Sequence, residues 1–204
     1  DPTHCHYRTT LGIDKRDGVM ADYFTLPADI LYEVPDSIPD DAAVFAEPLA
    51  AACEITYQNH IKPTDRVILL GDGKLGQLIA QVVQLTGCDL TVIGLNESKL
   101  ALLEDRGIRT LRAGEDVLPG ADLVIEATGD ASGFKRAREL VHPRGKIVLK
   151  STFHGKAEFD LSMLVVDEIT ISGSRCGPFE SALRLLHGGL VDPRPLIHDR
   201  YPLD

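Results

Sequence analysis

Short apolar runs alternate with amphipathic segments along the sequence from Asp65 onward. The runs are rich in Val, Ile and Leu, which is typical of strands that are buried on both faces of a sheet. The segments between them repeat apolar residues every three or four positions, which predicts helices. Strands are predicted at residues 66–70, 90–93, 123–126, 146–149 and 169–172, with a weaker one at 109–111, and helices at 75–85, 98–106, 132–141 and 179–186.

This alternation predicts the fold class. Strand–helix–strand units of this length form right-handed crossovers on a parallel sheet. Six strands in two halves fit an α/β, doubly wound parallel sheet.

The first 40 residues have a different pattern. Short alternating runs, "MADYFTL" and "ILYEV", are broken by Asp, Gly and Pro, which predicts short β-strands and turns. Asp40 or Asp41 is a candidate N-cap for an Ala-rich helix that is interrupted at Pro48 and continues to about Tyr57. We place the boundary between the two parts of the chain at this point.

A glycine motif joins the first predicted strand of the sheet to the helix that follows. Gly71, Gly73 and Gly76 have G-x-G-x-x-G spacing in the strand–turn–helix context that dinucleotide binding requires, which predicts a Rossmann cofactor domain. Gly71 would turn the chain, Gly73 would let the backbone approach a pyrophosphate, and Gly76 would let the helix pack closely. The helix N-terminus at Lys74 and Leu75 would supply amide donors, and Lys74 is either an added positive charge or a solvated side chain.

The second strand lacks the acid that commonly ends it. Its tip is Gly94, followed by Leu95 and Asn96, where an Asp or Glu would bind the adenosine ribose of NAD. Gly94 would leave room for a 2′-phosphate, Asn96 would donate hydrogen bonds, and Lys99 lies one helical turn further on, so the sequence favours NADP over NAD. Glu97 is the alternative, because it could turn back to the ribose and restore NAD binding.

Composition narrows the class of protein. The sequence has 204 residues and a net charge of −10, which argues against a nucleic-acid partner. No apolar run reaches the roughly 20 residues of a membrane span, and nothing resembles a signal peptide. The four cysteines are widely scattered, so a disulfide framework is not expected and the cytoplasm is the expected location.

Six segments in order give the sequence a family resemblance: "EPLAAACEI", "DRVILLGDGKLGQLIAQV", "EATG", "GKIVLKSTFHG", "VVDEITISGSRCGPFESALRLL" and "GLVDPRPLI". Together they resemble the zinc-dependent branch of the medium-chain dehydrogenase/reductase superfamily, near the sorbitol and threonine dehydrogenases. The resemblance implies that residues 1–40 are a small β-rich remnant of a GroES-like catalytic domain. Residues 41–190 would be the Rossmann domain with its entry helix, and residues 191–204 a return segment, so we expect the sequence to be part of a longer chain.

The resemblance also implies site residues. Glu47 would lie at the catalytic zinc and Cys5 would match one ligand of a structural zinc, and both sites would be incomplete because a zinc site needs at least three protein ligands. Cofactor contacts would come from loops at the carboxyl ends of three strands, where ligands bind in open α/β sheets. These contacts are Ala127, Thr128 and Gly129; Lys150, Ser151 and Thr152; and Gly173, Ser174 and Arg175.

The implied function is hydride transfer between a secondary alcohol (a polyol, sugar or amino alcohol) and a nicotinamide dinucleotide, with zinc only in the intact enzyme. We expect no dehydrogenase activity from this chain alone, and a homo-oligomer formed through residues 169–177. Two alternatives are a non-catalytic NAD(P)-binding or redox-sensing module and a methyltransferase-like domain that binds S-adenosylmethionine. Gly94 counts against the second, because that domain would use an acid at the tip of the second strand.

Overall fold

A parallel sheet of six strands forms the centre of the molecule in the computed structural model, which describes residues 4–152 and 160–202. The strands are β1 (Arg66–Leu70), β2 (Asp89–Gly94), β3 (Arg109–Arg112), β4 (Ala121–Glu126), β5 (Val141–Leu149) and β6 (Thr170–Gly173). Their order in the sheet is β3-β2-β1-β4-β5-β6, and every neighbouring pair is parallel. This is the doubly wound order of a dinucleotide-binding domain, so the predicted fold class is confirmed.

Helices connect these strands and cover both faces of the sheet. They are α1 (Asp40–Ala43), α2 (Ala46–Gln58), α3 (Lys74–Gln84), α4 (Glu97–Glu104), α5 (Ala131–Leu140), α6 (Leu161–Val166) and α7 (Phe179–His187), with 3₁₀ turns at Ala28–Ile30 and Arg194–Leu196. In the part of the chain that the structure describes, no helix is long and apolar enough to cross a membrane.

The alternation of side chains along β1 explains the two layers. Val67 and Leu69 point to the face that α2, α3 and α7 cover, whereas Ile68 and Leu70 point to the face that α5 covers. Val67, Ile68 and Leu69 are fully buried, since a strand between two helical layers has no solvent side. The central strands are therefore continuous apolar runs.

The segments that flank the sheet also contribute to its core. Ile38 from the chain before α1, and Val191 and Leu196 from the chain after α7, are buried in the same cluster as α2 and α3. The segments before α1 and after α7 thus pack on the same face of the sheet as α2 and α3.

Most of the predicted elements lie within two residues of the observed ones, but β5 begins at Val141, five residues before the predicted strand. The predicted helix at 132–141 accordingly ends at Leu140. The register between β4 and β5 shifts after Ala121, and Arg144 has a φ of 66°. Pro143 and Gly145 lie in this irregularity and are typical turn residues, so the sequence predicts a turn there. In the structure the strand continues through these residues with an irregular register.

The first 40 residues contain short strands, as predicted, but not at the two runs that the prediction named. The runs "MADYFTL" and "ILYEV" form no strand, and the second begins within the 3₁₀ turn Ala28–Ile30. The short strands of this region are Thr10–Leu11 and Lys15–Arg16 instead. The side chains of Met20 and Tyr23 are almost fully exposed. An alternating run becomes a strand only beside a partner strand, and neither run has one within the described residues.

Candidate functional site

The three glycines of the motif lie where β1 passes into α3, and two of them are required by close backbone contacts. Gly71 has a φ of 114°, and a Cβ there would lie 2.4 Å from the carbonyl oxygen of Ala127 at the end of β4. A Cβ on Gly76 would lie 2.2 Å from the carbonyl oxygen of Gly71. These two positions exclude any side chain, which confirms the tight turn and the close helix packing.

Gly73 differs from the other two glycines. A Cβ at Gly73 would meet no atom within 4 Å, so nothing in the folded chain requires glycine there. Gly73 is the N-cap of α3 and no side chain caps that helix, which leaves its first amides available to a ligand. Lys74 is exposed and Leu75 packs on the core, and neither lines the cleft in front of the loop.

This cleft has a volume of about 570 Å³ and lies at the carboxyl ends of β1, β2 and β4, where the strand order reverses. A cleft at such a switch point is the usual ligand site of a doubly wound sheet. Seven of the sequence-predicted residues line it: Gly71, Gly73, Gly94, Leu95, Lys99, Ala127 and Thr128. The residues that the sequence analysis missed are Asp72, Ala113, Gly114, Glu115, Asp130, Ser132, Gly133 and Arg136, together with the strand residues Leu70 and Ile93.

The space beside Gly94 is filled, which corrects the reason given for this glycine. A Cβ on Gly94 would lie 2.6 Å from both Cβ and Oδ2 of Asp72. The carboxylate of Asp72 accepts hydrogen bonds from the backbone N–H groups of Leu95 at 2.9 Å and Asn96 at 2.7 Å. Gly94 therefore leaves room for a carboxylate from the glycine loop, not for a phosphate.

The residues after Gly94 have mainly structural partners. Asn96 is the N-cap of α4, and its side-chain oxygen accepts hydrogen bonds from the hydroxyl of Ser98 and the backbone N–H of Lys99. Glu97, the alternative ribose ligand, is exposed and forms an ion pair with Arg112. Of this group only Leu95 and Lys99 line the cleft.

A buried carboxylate organises the loop after β4. Oε1 of Glu126 accepts hydrogen bonds from the N–H and hydroxyl of Thr128 and from the hydroxyl of Ser151 at 2.9 Å. The Ser151 hydroxyl oxygen accepts one from the N–H of Gly129 at 2.7 Å. The structure thus brings together three residues predicted from two strand ends, and Glu126 is the residue that positions them.

A buried amine organises the next pair of strand ends. The ammonium of Lys150, after β5, donates hydrogen bonds to the hydroxyl of Ser174 at 3.1 Å and the carbonyl oxygen of Arg175 at 2.7 Å. Burial lowers the pKa of Lys150 to about 8, while the charges of Glu54, Cys176 and Glu47 act in the opposite direction. Lys150 therefore fixes the loop that follows β6.

The remaining predicted contacts, Thr152 and Gly173, are exposed at the same edge of the sheet. Neither lines the cleft in front of the glycine loop. Their assignment to the cofactor stays a prediction.

The two residues predicted at zinc sites lie apart from any group of ligands. Glu47 is exposed in the first turn of α2, and Cys5 is an exposed free cysteine. Within residues 4–152 and 160–202, no three His, Cys, Asp or Glu side chains are placed to hold a metal ion. These residues alone do not fit a zinc ion, which needs at least three protein ligands.

Comparison with known proteins agrees with this architecture. The chain is 26% identical to the 2-dehydro-3-deoxy-L-galactonate 5-dehydrogenase of Pseudoalteromonas atlantica and 27% identical to the sorbitol dehydrogenase of Halalkalibacterium halodurans. In both cases the match covers 98% of the chain and 63% of the relative. The chain thus spans less than two thirds of the length of these curated relatives.

Solved structures show the same fold. A zinc-binding dehydrogenase of Sinorhizobium meliloti 1021 with bound NADP superposes with a TM-score of 0.80 at 26% identity. The superposition covers 88% of this chain and 58% of that one. Residues 75–187, more than half of the chain, match the model of the zinc-binding dehydrogenase family. The chain therefore belongs to the zinc-binding dehydrogenase family.

Proposed function

We propose that the cleft binds a nicotinamide dinucleotide and that the chain is the cofactor-binding part of an NAD(P)-dependent alcohol dehydrogenase. The observation that carries this proposal is the glycine loop. It has two glycines that the fold requires and a third, Gly73, that faces open space at the uncapped start of α3. Such a loop binds a pyrophosphate through backbone amides and the positive end of the helix.

The other residues of the site position the cofactor. Glu126 holds Thr128 and Ser151, and through Ser151 the N–H of Gly129, at the rim beside the glycine loop. Lys150 holds the loop after β6 at the neighbouring strand ends. When bound, the nicotinamide accepts or supplies the hydride, and these residues set where the ring lies.

The substrate class is a secondary alcohol: a polyol, a sugar or an amino alcohol. Support comes from the relatives, one of which is a sorbitol dehydrogenase and another a dehydrogenase of a sugar acid. The non-catalytic module is not favoured, because these relatives are enzymes. No step is assigned to zinc, since the described residues form no metal site.

The cofactor could be NAD or NADP, which differ by the 2′-phosphate on the adenosine ribose. The sequence favours NADP, and the position of Lys99 in the cleft supports that choice. Asp72 opposes it, because its carboxylate takes the space beside Gly94. We give more weight to Asp72, since it is buried and held by two hydrogen bonds, and propose NAD as the preferred cofactor with NADP as the alternative.

We also propose a homo-oligomer that forms through the edge of the sheet. Strand β6 is the last strand in the sheet order, and an edge strand offers unpaired backbone groups to a second chain. The helix that precedes it in the chain, α6, exposes the apolar side chains of Leu161, Val165 and Val166. Sedimentation would test this, and a monomer at high concentration would contradict it.

The cytoplasmic location likewise stays a prediction.

Calorimetric titration of the chain with NADH and with NADPH tests the cofactor proposal. We expect saturable binding of at least one of them with a stoichiometry of one per chain. The matched control is adenosine, which lacks the pyrophosphate and should bind far more weakly. Absence of heat with both dinucleotides would contradict the proposal.

A further inference from the structure

Two backbone N–H groups after β2, those of Leu95 and Asn96, bind the same carboxylate oxygen of Asp72. Oδ2 of Asp72 accepts hydrogen bonds from the N–H groups of Leu95 at 2.9 Å and Asn96 at 2.7 Å. Asp72 is only 9% exposed, yet it lines the cleft. An acid therefore lies at the tip of β2, although the residue that ends the strand is Gly94.

Gly94 and Asp72 depend on each other for space. Any side chain on Gly94 would begin 2.6 Å from Cβ of Asp72, which is closer than non-bonded carbon atoms approach. Glycine at 94 is thus the condition for the Asp72 carboxylate to reach the two amides.

A side chain of α3 also holds the backbone around Asp72. Nε2 of Gln77, a buried residue of α3, donates to the carbonyl oxygen of Lys99 at 2.7 Å and to that of Asp72 at 3.5 Å. One side chain therefore joins the glycine loop to α4. The contact between Asp72 and the two amides is built into this junction.

The occupied amides are the donors that a 2′-phosphate would need. They lie at the start of α4, where backbone N–H groups and the helix dipole favour an anion. A carboxylate at this point accepts ribose hydroxyls, whereas a phosphate would have to displace it or lie against its charge.

The other charges of the cleft do not offset this carboxylate. Glu115 and Asp130 add two negative charges, while Lys99 and Arg136 add two positive ones. Arg136 is itself paired with Glu139. The balance of charged groups that line the cleft is negative.

We propose that Asp72 is the residue that selects the cofactor: its carboxylate replaces the missing acid at the tip of β2, accepts the adenosine ribose of NAD and excludes the 2′-phosphate of NADP. This inference rests on the proposed binding of a nicotinamide dinucleotide. Discrimination arises from a contact that is unfavourable to the wrong ligand as much as from one that favours the right ligand.

The test compares Asp72→Asn and Asp72→Ala with the unchanged chain in titrations with NADH and NADPH, and with ADP-ribose and its 2′-phosphate. Asn keeps an oxygen for the amides and removes the charge, whereas Ala frees both amides. We expect the unchanged chain to bind NADH at least about tenfold more tightly than NADPH. Asp72→Asn should reduce that ratio, and Asp72→Ala should bring it to about one or below.

The matched control is Glu104→Gln. It removes one charge from α4, the helix that follows the two amides, but Glu104 bonds to Thr110 and does not line the cleft. We expect the NADH-to-NADPH ratio of this variant to change by less than about twofold. A ratio that shifts as much as in Asp72→Asn would show that general charge, not the amide contact, decides the selection.

A double variant keeps the proposal testable if Asp72→Ala unfolds. Asp72→Gly with Gly94→Asp moves the carboxylate from the loop to the strand and removes the steric conflict. We expect it to fold, as judged by a cooperative thermal melt, and to keep the preference for NADH.

Tighter binding of NADPH than of NADH by the unchanged chain would overturn the role of Asp72 and leave the dinucleotide site intact. An equal loss of both cofactors in the two Asp72 variants would also overturn it, because the residue would then only hold the loop. Absence of binding by every variant would overturn both this inference and the proposed function.

Discussion

At the carboxyl ends of the strands, a negative side chain joins two loops on one side of the sheet and a positive side chain joins two loops on the other side. On one side the carboxylate of Asp72 joins the loop after β1 to the loop after β2 through two backbone N–H groups. On the other side the ammonium of Lys150 joins the loop after β5 to the loop after β6 through Ser174 and a carbonyl oxygen. In each case one buried charged side chain bridges neighbouring strand ends.

The difference lies in what each charge faces. Asp72 lines the cleft of the glycine loop, so its charge acts on whatever binds there. Lys150 faces the loop after β6, with Glu47, Glu54 and Cys176 nearby, and it carries its charge only below about pH 8, because burial lowers its pKa to about 8. The buried charge of Asp72 can thus select a ligand, whereas the buried charge of Lys150 holds a loop.

The largest expected effect comes from breaking the glycine-loop side. Gly76→Ala should destabilise the chain by about 3 kcal/mol or more, because its Cβ would lie 2.2 Å from the backbone carbonyl oxygen of Gly71. Gly73→Ala is the matched change, with an open position for its Cβ. We expect it to change the free energy of unfolding by less than about 1 kcal/mol and to weaken dinucleotide binding at least about tenfold.

Urea unfolding and calorimetric titration of the two glycine variants would check this pair. If Gly73→Ala bound NADH as the unchanged chain does, the pyrophosphate would not lie at the glycine loop.

A smaller effect is expected from Lys150→Met, and it depends on pH. The pKa of Lys150 is about 8 in the folded chain and near 10.5 when unfolded, so the unfolded chain binds more protons between these values. The stability of the unchanged chain relative to the variant is therefore lowest below pH 8 and rises toward pH 10.5. We expect a rise of about 2 kcal/mol between pH 8 and pH 10, since the difference in bound protons contributes about 1.4 kcal/mol for each pH unit between the two pKa values.

Chemical unfolding of both proteins at several pH values between 7 and 10.5 measures this difference. A difference that stays flat or falls over the range would mean that Lys150 is not a buried cation. Lys146→Met offers a comparison, since that amine is only half-buried and bonds to Asn59.

The smallest effect is expected from Glu97→Gln, which removes an exposed ion pair with Arg112. Exposed pairs of this kind contribute about 0.5 kcal/mol or less. We expect no change in the ratio of NADH to NADPH affinity, because Asp72 and not Glu97 lies at the amides. A loss of NADH preference in the titration would restore Glu97 as the ribose ligand.

The sequence predicts much of the edge where these charges lie. The apolar runs from β1 to β6 and the spacing of Gly71, Gly73 and Gly76 are local signals, and they are sufficient to predict the doubly wound sheet and the position of the cleft. The contact between Asp72 and Gly94 joins residues that are far apart in the sequence. No local pattern indicates this contact. The signal for it is a pair of residues: an acid between the first two glycines of the motif, Asp72, and a glycine at the tip of the second strand, Gly94.

The failures have a common physical origin. The runs "MADYFTL" and "ILYEV" alternate as strands do, but no neighbouring strand pairs with them in the described residues. The helix α6 was not predicted, because "LSMLVV" is only six residues long and ends in two β-branched residues, but Asp160 caps it by accepting a hydrogen bond from the N–H of Ser162. Pairing and capping partners, and not composition, decided both segments.

A crystal structure of the chain with bound NADH would test the central claim most directly. We expect the pyrophosphate at the Gly73 backbone and the adenosine 2′-hydroxyl within hydrogen-bond distance of the Asp72 carboxylate, which keeps its contacts to the amides of Leu95 and Asn96. A ribose that binds elsewhere, or an Asp72 side chain displaced from those amides, would contradict it.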